Sequence, residues 1–322
     1  MPLPRKRQIS LVDTPYYHCV SRCVRRAFLC GEDKLTGQSF EHRRQWVEDR
    51  LLRLARVFTI DVCAYAVMSN HTHVVLHIDS DAAKALSDIE VARRWQWIHQ
   101  IPIIVQQFID TQQMPRCQIQ RSTLKETLSV YRHRLCDISW FMRELNEHIA
   151  RQANKEDDCT GHFWEGRFKS QALLDEQALA ACMVYVDLNP IRANIALTPQ
   201  SSHHTSIKRR IENAREGYQP SNLQPFENNA APHFCKHLPF KLDDYLALID
   251  TTYRNTTKTQ TTGIIATDNP ILSRLVLNTP HWEALTHGFE DIFSVAAGTI
   301  TSLEQFKANT QRKRITPTQL RL

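Results

Sequence analysis

The sequence predicts an α+β fold: a ferredoxin-like βαββαβ antiparallel sheet with one added helix, then a mainly helical C-terminal region. Three observations predict it. Short segments at 16–22, 58–68, 71–78 and 167–173 read as strands, with β-branched residues dense over 57–78. Apolar stripes at helical spacing over 40–57 and 137–153 read as the two helices between them. A further helix opens after Asp175 and has to stop near Asn189, because Pro190 disfavours helical geometry in the residue before it. In this order the first and third strands are the central ones.

Each element has its local reason. The helix over 40–57 places Val47, Leu51, Leu54, Ala55 and Phe58 on one stripe. Ser39 is its expected N-cap, with Glu41 in the first turn and Arg43, Arg44, Arg50, Arg53 and Arg56 largely off the stripe. Ser69-Asn70 is a turn signal that divides the hairpin into 58–68 and 71–78. Residues 79–121 read as an insertion, in which Ser87 and Glu90 make a capping box ahead of a helix with Trp95 and Trp97. Ile138, Phe141, Met142, Leu145 and Ile149 line the second helix, and Asp175 caps the third. Residues 1–200 are thus expected to form one catalytic domain. Residues 201–235, with Pro220, Pro225 and Pro232, read as a linker, and 236–322 as helical without a chemical motif.

Composition narrows the function. The chain of 322 residues has 8 glycines and no G-x-G, which argues against dinucleotide and P-loop phosphate sites. Basic residues outnumber acidic ones 40 to 34, and the whole excess lies in residues 1–56, with 12 basic against 6 acidic. Such a block suits a nucleic-acid partner or, equally, a solubilising surface. Nine cysteines without a C-x-x-C pair fit a reducing cytoplasm better than a disulfide scaffold. No apolar run is long enough for a membrane span, and Pro4-Arg5-Lys6-Arg7 is not followed by the apolar stretch of a signal peptide, so a cytoplasmic location is expected.

Two short patterns carry chemistry. His71 and His73 stand at i and i+2 of a strand, so their imidazoles share a face, as paired metal ligands or as ordinary structural histidines. His77 shares that face and reads as structural. Tyr185 and Asn189 stand at i and i+4 of a helix, again on one face. The amide oxygen of Asn189 suits a hard cation, and the plainer alternative makes Asn189 a helix cap and Tyr185 a core-edge residue.

With these residues the chain resembles the REP-associated tyrosine transposases, a branch of the single-tyrosine HUH nucleases related to insertion-sequence-200-type transposases. Four stretches carry the resemblance, in the family's order, over roughly residues 5–195: Tyr17-His18-Cys19-Val20-Ser21-Arg22; Tyr65 through Asn70-His71-Thr72-His73; Gly161-His162-Phe163-Trp164-Glu165-Gly166-Arg167-Phe168; and Tyr185 through Asn189-Pro190-Ile191-Arg192-Ala193. The resemblance implies the HUH fold, His71, His73 and Asn189 as ligands of a divalent metal ion, and Tyr185 as nucleophile. It implies single-stranded DNA with hairpins as the partner, cut through a 5′-phosphotyrosine link with a free 3′-OH. The mixed His/Asn set favours Mg²⁺ or Mn²⁺. Arg22, Arg25, Arg26, Arg167, Lys169 and Arg192 are the expected phosphate contacts and Trp164 a stacking surface, with solvated arginines and a core tryptophan as the alternative. A DNA-binding protein that recognises repeated hairpins without transposing is the competing reading. Monomer or dimer stays open. Because the catalytic set lies between 71 and 189, residues 1–213 are expected to fold alone.

Overall fold

The computed structural model describes residues 8–24, 29–33, 36–227, 236–257, 269–277 and 279–312. It is an α+β structure. The elements of the first part are β1 (Tyr16–Arg22), α1 (Arg43–Val57), β2 (Ile60–Val67), β3 (His71–Ile78), α2 (Ser80–Ala85), α3 (Asp88–Gln96), α4 (Ile103–Thr111), α5 (Gln118–Leu135), α6 (Ile138–Glu156), β4 (Lys169–Leu173) and α7 (Glu176–Asp187). Then come α8 (Asn189–Arg192), α9 (Ser206–Arg215), β5 (Phe226–Glu227), β6 (Leu238–Lys241), α10 (Leu242–Thr257), α11 (Pro270–Arg274), α12 (Thr279–Ile292), β7 (Ala296–Ala297) and α13 (Ile300–Asn309).

The main sheet has the order β2-β3-β1-β4-β7. The first four strands are antiparallel neighbours, with β1 and β3 inside, and β7 adds a short parallel edge beside β4. Alternation sorts the side chains onto two faces. Tyr17, Cys19, Val74 and Leu76 share a core with Val47, Leu51 and Leu54 of α1 and Phe141, Leu145 and Ile149 of α6. The opposite face carries Ala64, Ala66 and Val75 and packs on Leu179, Met183 and Val186 of α7, together with Tyr245, Trp282, Leu285 and Phe289 from the C-terminal helices.

Several local expectations change. α1 starts at Arg43 rather than near 40, and its N-cap position is His42, which makes no side-chain cap bond. Ser39 Oγ instead accepts from the Glu41 amide at 3.4 Å. Arg43 and Arg44 are buried, not off the stripe. Arg43 bridges to Glu156 at 2.6 Å and to Asp157 at the end of α6, stacking over Phe40, and Arg44 donates to the Val67 carbonyl. Arg50 pairs with Glu144. Part of the basic excess of residues 1–56 therefore holds α1 to α6 and the sheet instead of facing an outside anion. The helices between β3 and α6 run to Leu135, past the insertion limit of 121, because the apolar positions Leu124, Leu128, Tyr131 and Leu135 of α5 join the same core.

The stretch read as a linker, 201–235, contains α9 and β5. Ser206 Oγ donates to Asp187 and the Ile207 amide donates to Asp187 at 3.0 Å. Tyr245 of α10 donates to the other oxygen of Asp187 at 2.6 Å. Asp187 is fully buried, and burial raises its carboxyl to about 6. These bonds tie the end of α7 to segments far along the chain. No described helix is long and apolar enough to cross a membrane.

Candidate metal and tyrosine site

β1 and β3 pair so that Arg22 faces His71, Val20 faces His73, and His18 faces Val75. All of these side chains therefore project from the α7 face of the sheet. His71 Nε2 and His73 Nε2 lie 2.9 Å apart, and His73 Nδ1 lies 3.0 Å from His18 Nε2. Three imidazoles thus form one row along the sheet. His77 stands apart, bonded to Asp61 at 3.0 Å and packed against Tyr16.

α7 brings the tyrosine over this row. The Tyr185 ring stands perpendicular to the His73 ring at 5.7 Å, and it is nearly buried at 9% exposure. α7 ends at Asp187, two residues before the expected stop. Asn189 begins the single turn α8, where Pro190 fits because a first turn has no use for its missing N–H. Asn189 Nδ2 lies 3.4 Å from His73 Nε2. Arg192 of α8 stacks 4.7 Å over the Tyr185 ring and donates through Nη2 to the Tyr185 carbonyl. Its Nη1 is buried without a hydrogen-bond partner.

The electrostatics follow burial. Burial lowers the His18 pKa to about 4 and, with the nearby Arg22 and His18, that of His71 to about 4. Burial, then the adjoining His18 and His71 and the charges of Arg192 and Arg22, hold His73 well below its ordinary value, so the row is neutral near pH 7. The Tyr185 phenol is raised to about 12, first by burial and then by the charge of Glu290, while Arg192 and Asn189 pull it back. Burial also brings Arg192 down to about 10.

Two site residues come from α12, which had no chemical motif. The helix is kinked at Gly288, where φ is −127°, just before Phe289 and Glu290. The Phe289 ring packs 5.9 Å from that of Tyr185 and 6.3 Å from that of His18. Glu290 Oε1 lies 3.5 Å from His73 Nδ1, and burial raises its carboxyl against the opposing pull of Lys169 and Arg22. His18, His73 and Glu290 bring ligand atoms within 4.8 Å of one another, close enough to hold a metal ion.

The predicted residues fall into groups. His71, His73, Asn189, Tyr185 and Arg192 meet in one cluster, with Arg22 at the strand end beside His71. Arg167 and Lys169 are exposed and line an adjoining cleft of about 620 Å³ with His18, Gln171 and Glu290; Arg167 precedes β4 instead of lying on it. Trp164 belongs to the other layer: its indole N–H donates to the Asn146 carbonyl of α6 at 2.7 Å. Arg25 and Arg26 lie outside the described residues. His18 had a signal that sequence reasoning left unused, since Tyr16, His18, Val20 and Arg22 alternate onto the face of a strand expected beside the histidine strand. Phe289 and Glu290 had none, because nothing local couples them to residue 73.

No protein-family model matches the chain, and no curated protein matches it. The chain is similar to a solved structure of a REP-associated tyrosine transposase bound to a REP hairpin, at 13% identity over 73% of this chain and 100% of that one, with a TM-score of 0.38. A likeness of that depth carries no weight for the chemistry, which rests on the residues.

Proposed function

We propose that the chain is a metal-dependent tyrosine transposase of the HUH type, binding hairpin-bearing single-stranded DNA and nicking and rejoining it through Tyr185. The observation that carries this reading is the meeting of Tyr185 and Asn189 with the facing Nε2 atoms of His71 and His73. The strand order β2-β3-β1-β4, with α1 and α6 on one face and α7 on the other, supports the ferredoxin-like HUH arrangement.

The donor set fits a divalent cation. His71 Nδ1 lies 2.5 Å from Asn70 Oδ1, an acceptor, so its proton sits there and Nε2 keeps its lone pair. His73 Nδ1 faces two acceptors, His18 Nε2 and Glu290, which leaves its Nε2 bare as well. Two lone pairs 2.9 Å apart repel unless a cation or proton joins them, and burial disfavours the proton. His71, His73 and, after a half-turn of its amide, Asn189 would hold Mg²⁺ or Mn²⁺. When bound, such an ion supplies charge that polarises a phosphate oxygen.

The chain's own residues do the rest. Tyr185 supplies the nucleophilic oxygen: a bond forms from Oη to phosphorus as the bond from phosphorus to the 3′ oxygen breaks, the phenol gives up its proton and the departing oxygen takes one up, leaving a 5′-phosphotyrosine and a free 3′-OH. The energy of the broken bond is kept in the link, so the 3′-OH can reverse the step. Arg192 is a half-buried cation with no carboxylate partner among the described residues, and its bare, buried Nη1 suits a phosphate oxygen beside Tyr185. Arg22, Arg167 and Lys169 extend the positive lining along the strand path. A second reading, a hairpin-binding protein that does not transpose, is favoured by the cover of Phe289 over Tyr185. Incubation of the full chain with Mn²⁺ and a hairpin-bearing single strand separates the two: the first requires a covalent adduct, and the second yields binding alone.

A further inference from the structure

We propose that His18 and Gln171 are positioning residues that fix the His73 tautomer, turning its Nε2 lone pair toward His71. The proposal rests on the metal reading above. The hydrogen bonds run in one direction. Gln171 Nε2 donates to the Phe293 carbonyl, so its amide cannot rotate without losing that bond. Its Oε1 therefore faces His18 Nδ1 at 3.2 Å, and an oxygen there requires an N–H on His18 Nδ1. A neutral His18 then has a bare Nε2, which at 3.0 Å accepts only from a protonated His73 Nδ1. The proton on Nδ1 leaves His73 Nε2 as the lone pair, 2.9 Å from that of His71.

The register makes this relay a product of the sheet. Gln171 of β4 is directly opposite His18 of β1, while His18 reaches diagonally to His73 of β3. All three side chains are fully or nearly buried, so water does not compete for these bonds. The His18 and His73 rings lie nearly parallel, 12° apart, which holds the bond in plane. The relay ends at Phe293, immediately after α12. Both ring nitrogens of His18 are thus taken by complementary hydrogen bonds, whereas the Nε2 atoms of His71 and His73 face each other as lone pairs. That makes His18 an orienting neighbour instead of a third ligand, even though its atoms lie within metal-holding distance of His73 and Glu290.

The test uses the full chain with Mn²⁺ alone, its affinity read by the loss of the free-ion electron paramagnetic resonance signal. His18→Leu removes the acceptor and is expected to weaken Mn²⁺ binding about 10–100-fold, the usual cost of losing an orienting bond. His18→Gln places an oxygen near the lost Nε2 and is expected to keep affinity within about threefold of the wild type, a rescue that a merely space-filling role would not give. Nitrogen-15 spectra of histidine-labelled wild type, without metal, are expected to show His73 protonated at Nδ1; this readout needs no variant to fold. His73 protonated at Nε2, or equal loss in both His18 variants, overturns the relay. Wild type that binds no Mn²⁺ overturns the metal reading and the relay with it, whereas tight wild-type binding with unchanged His18→Leu affinity overturns the relay alone.

Discussion

Replacing Arg192 by methionine is expected to make the free protein more stable and its DNA complex weaker. The guanidinium is partly buried, Nη1 has no partner, and burial lowers its pKa from 12.5 to about 10. At 1.36 kcal/mol per unit, holding the charge there costs about 3 kcal/mol. Residual exposure and the lost bond to the Tyr185 carbonyl, worth about 1–1.5 kcal/mol, reduce the net gain to about 1–2 kcal/mol. For a chain of this size that is a rise in melting temperature of roughly 1.5–3 °C. Methionine fills similar space and keeps contact with the Tyr185 ring. Fluorescence anisotropy with a hairpin-bearing single strand at several salt concentrations should show weaker binding and a salt slope smaller by about 0.7, the share of one phosphate contact. Single-turnover nicking should fall by about 100-fold or more, as for loss of one preorganised donor. A variant that melts lower than wild type while binding and nicking DNA equally well would refute the reasoning and make Arg192 structural.

Three further outcomes follow from the same geometry. His71→Ala and His73→Ala should each abolish measurable Mn²⁺ binding and nicking with an unchanged far-ultraviolet circular dichroism spectrum, and Asn189→Ala should lose about tenfold, since water can replace one amide oxygen; nicking by wild type in excess chelator would contradict the metal role. A chain of residues 1–213 should fail to melt cooperatively, because it loses Tyr245 on Asp187 and the cover of Trp282, Leu285 and Phe289; a cooperatively melting fragment that still binds Mn²⁺ would show these contacts to be dispensable. Burial alone would raise Glu48, but bonds from His204 and Tyr65 and the charge of Arg209 hold it at about 2 against 4.5. A depressed carboxyl stabilises above its unfolded pKa, so about 2–3 kcal/mol should be present above pH 4.5 and lost as pH falls toward 2. Urea midpoints at pH 6 and pH 3 should differ less in Glu48→Gln than in wild type, and equal losses in both would contradict the assignment.

The elements that place the site were legible where periodicity is local. The strand carrying His71 and His73 and the helix carrying Tyr185 follow from alternation and from the Asp175 and Pro190 signals within a few residues. Three things were not legible, each for a physical reason. Arg43 and Arg44 look solvent-facing on a helical wheel, but their burial depends on Glu156, Asp157 and the Val67 carbonyl, which no local pattern announces. Residues 206–215 follow polar, loop-like sequence, and their place is set by a carboxylate at 187 that needs donors. Phe289 and Glu290 reach the histidines only through tertiary packing between segments far apart in the chain. The chemistry could be read from short motifs, while the lining that buries it could not.

The central claim is that Tyr185 attacks DNA beside a cation held by His71, His73 and Asn189. A denaturing gel of the full chain with Mn²⁺ and a labelled, hairpin-bearing single strand tests it most directly. Wild type is expected to give a protein–DNA adduct that vanishes with chelator and in Tyr185→Phe, while Tyr185→Phe still binds the strand. An adduct of undiminished yield in Tyr185→Phe would contradict it.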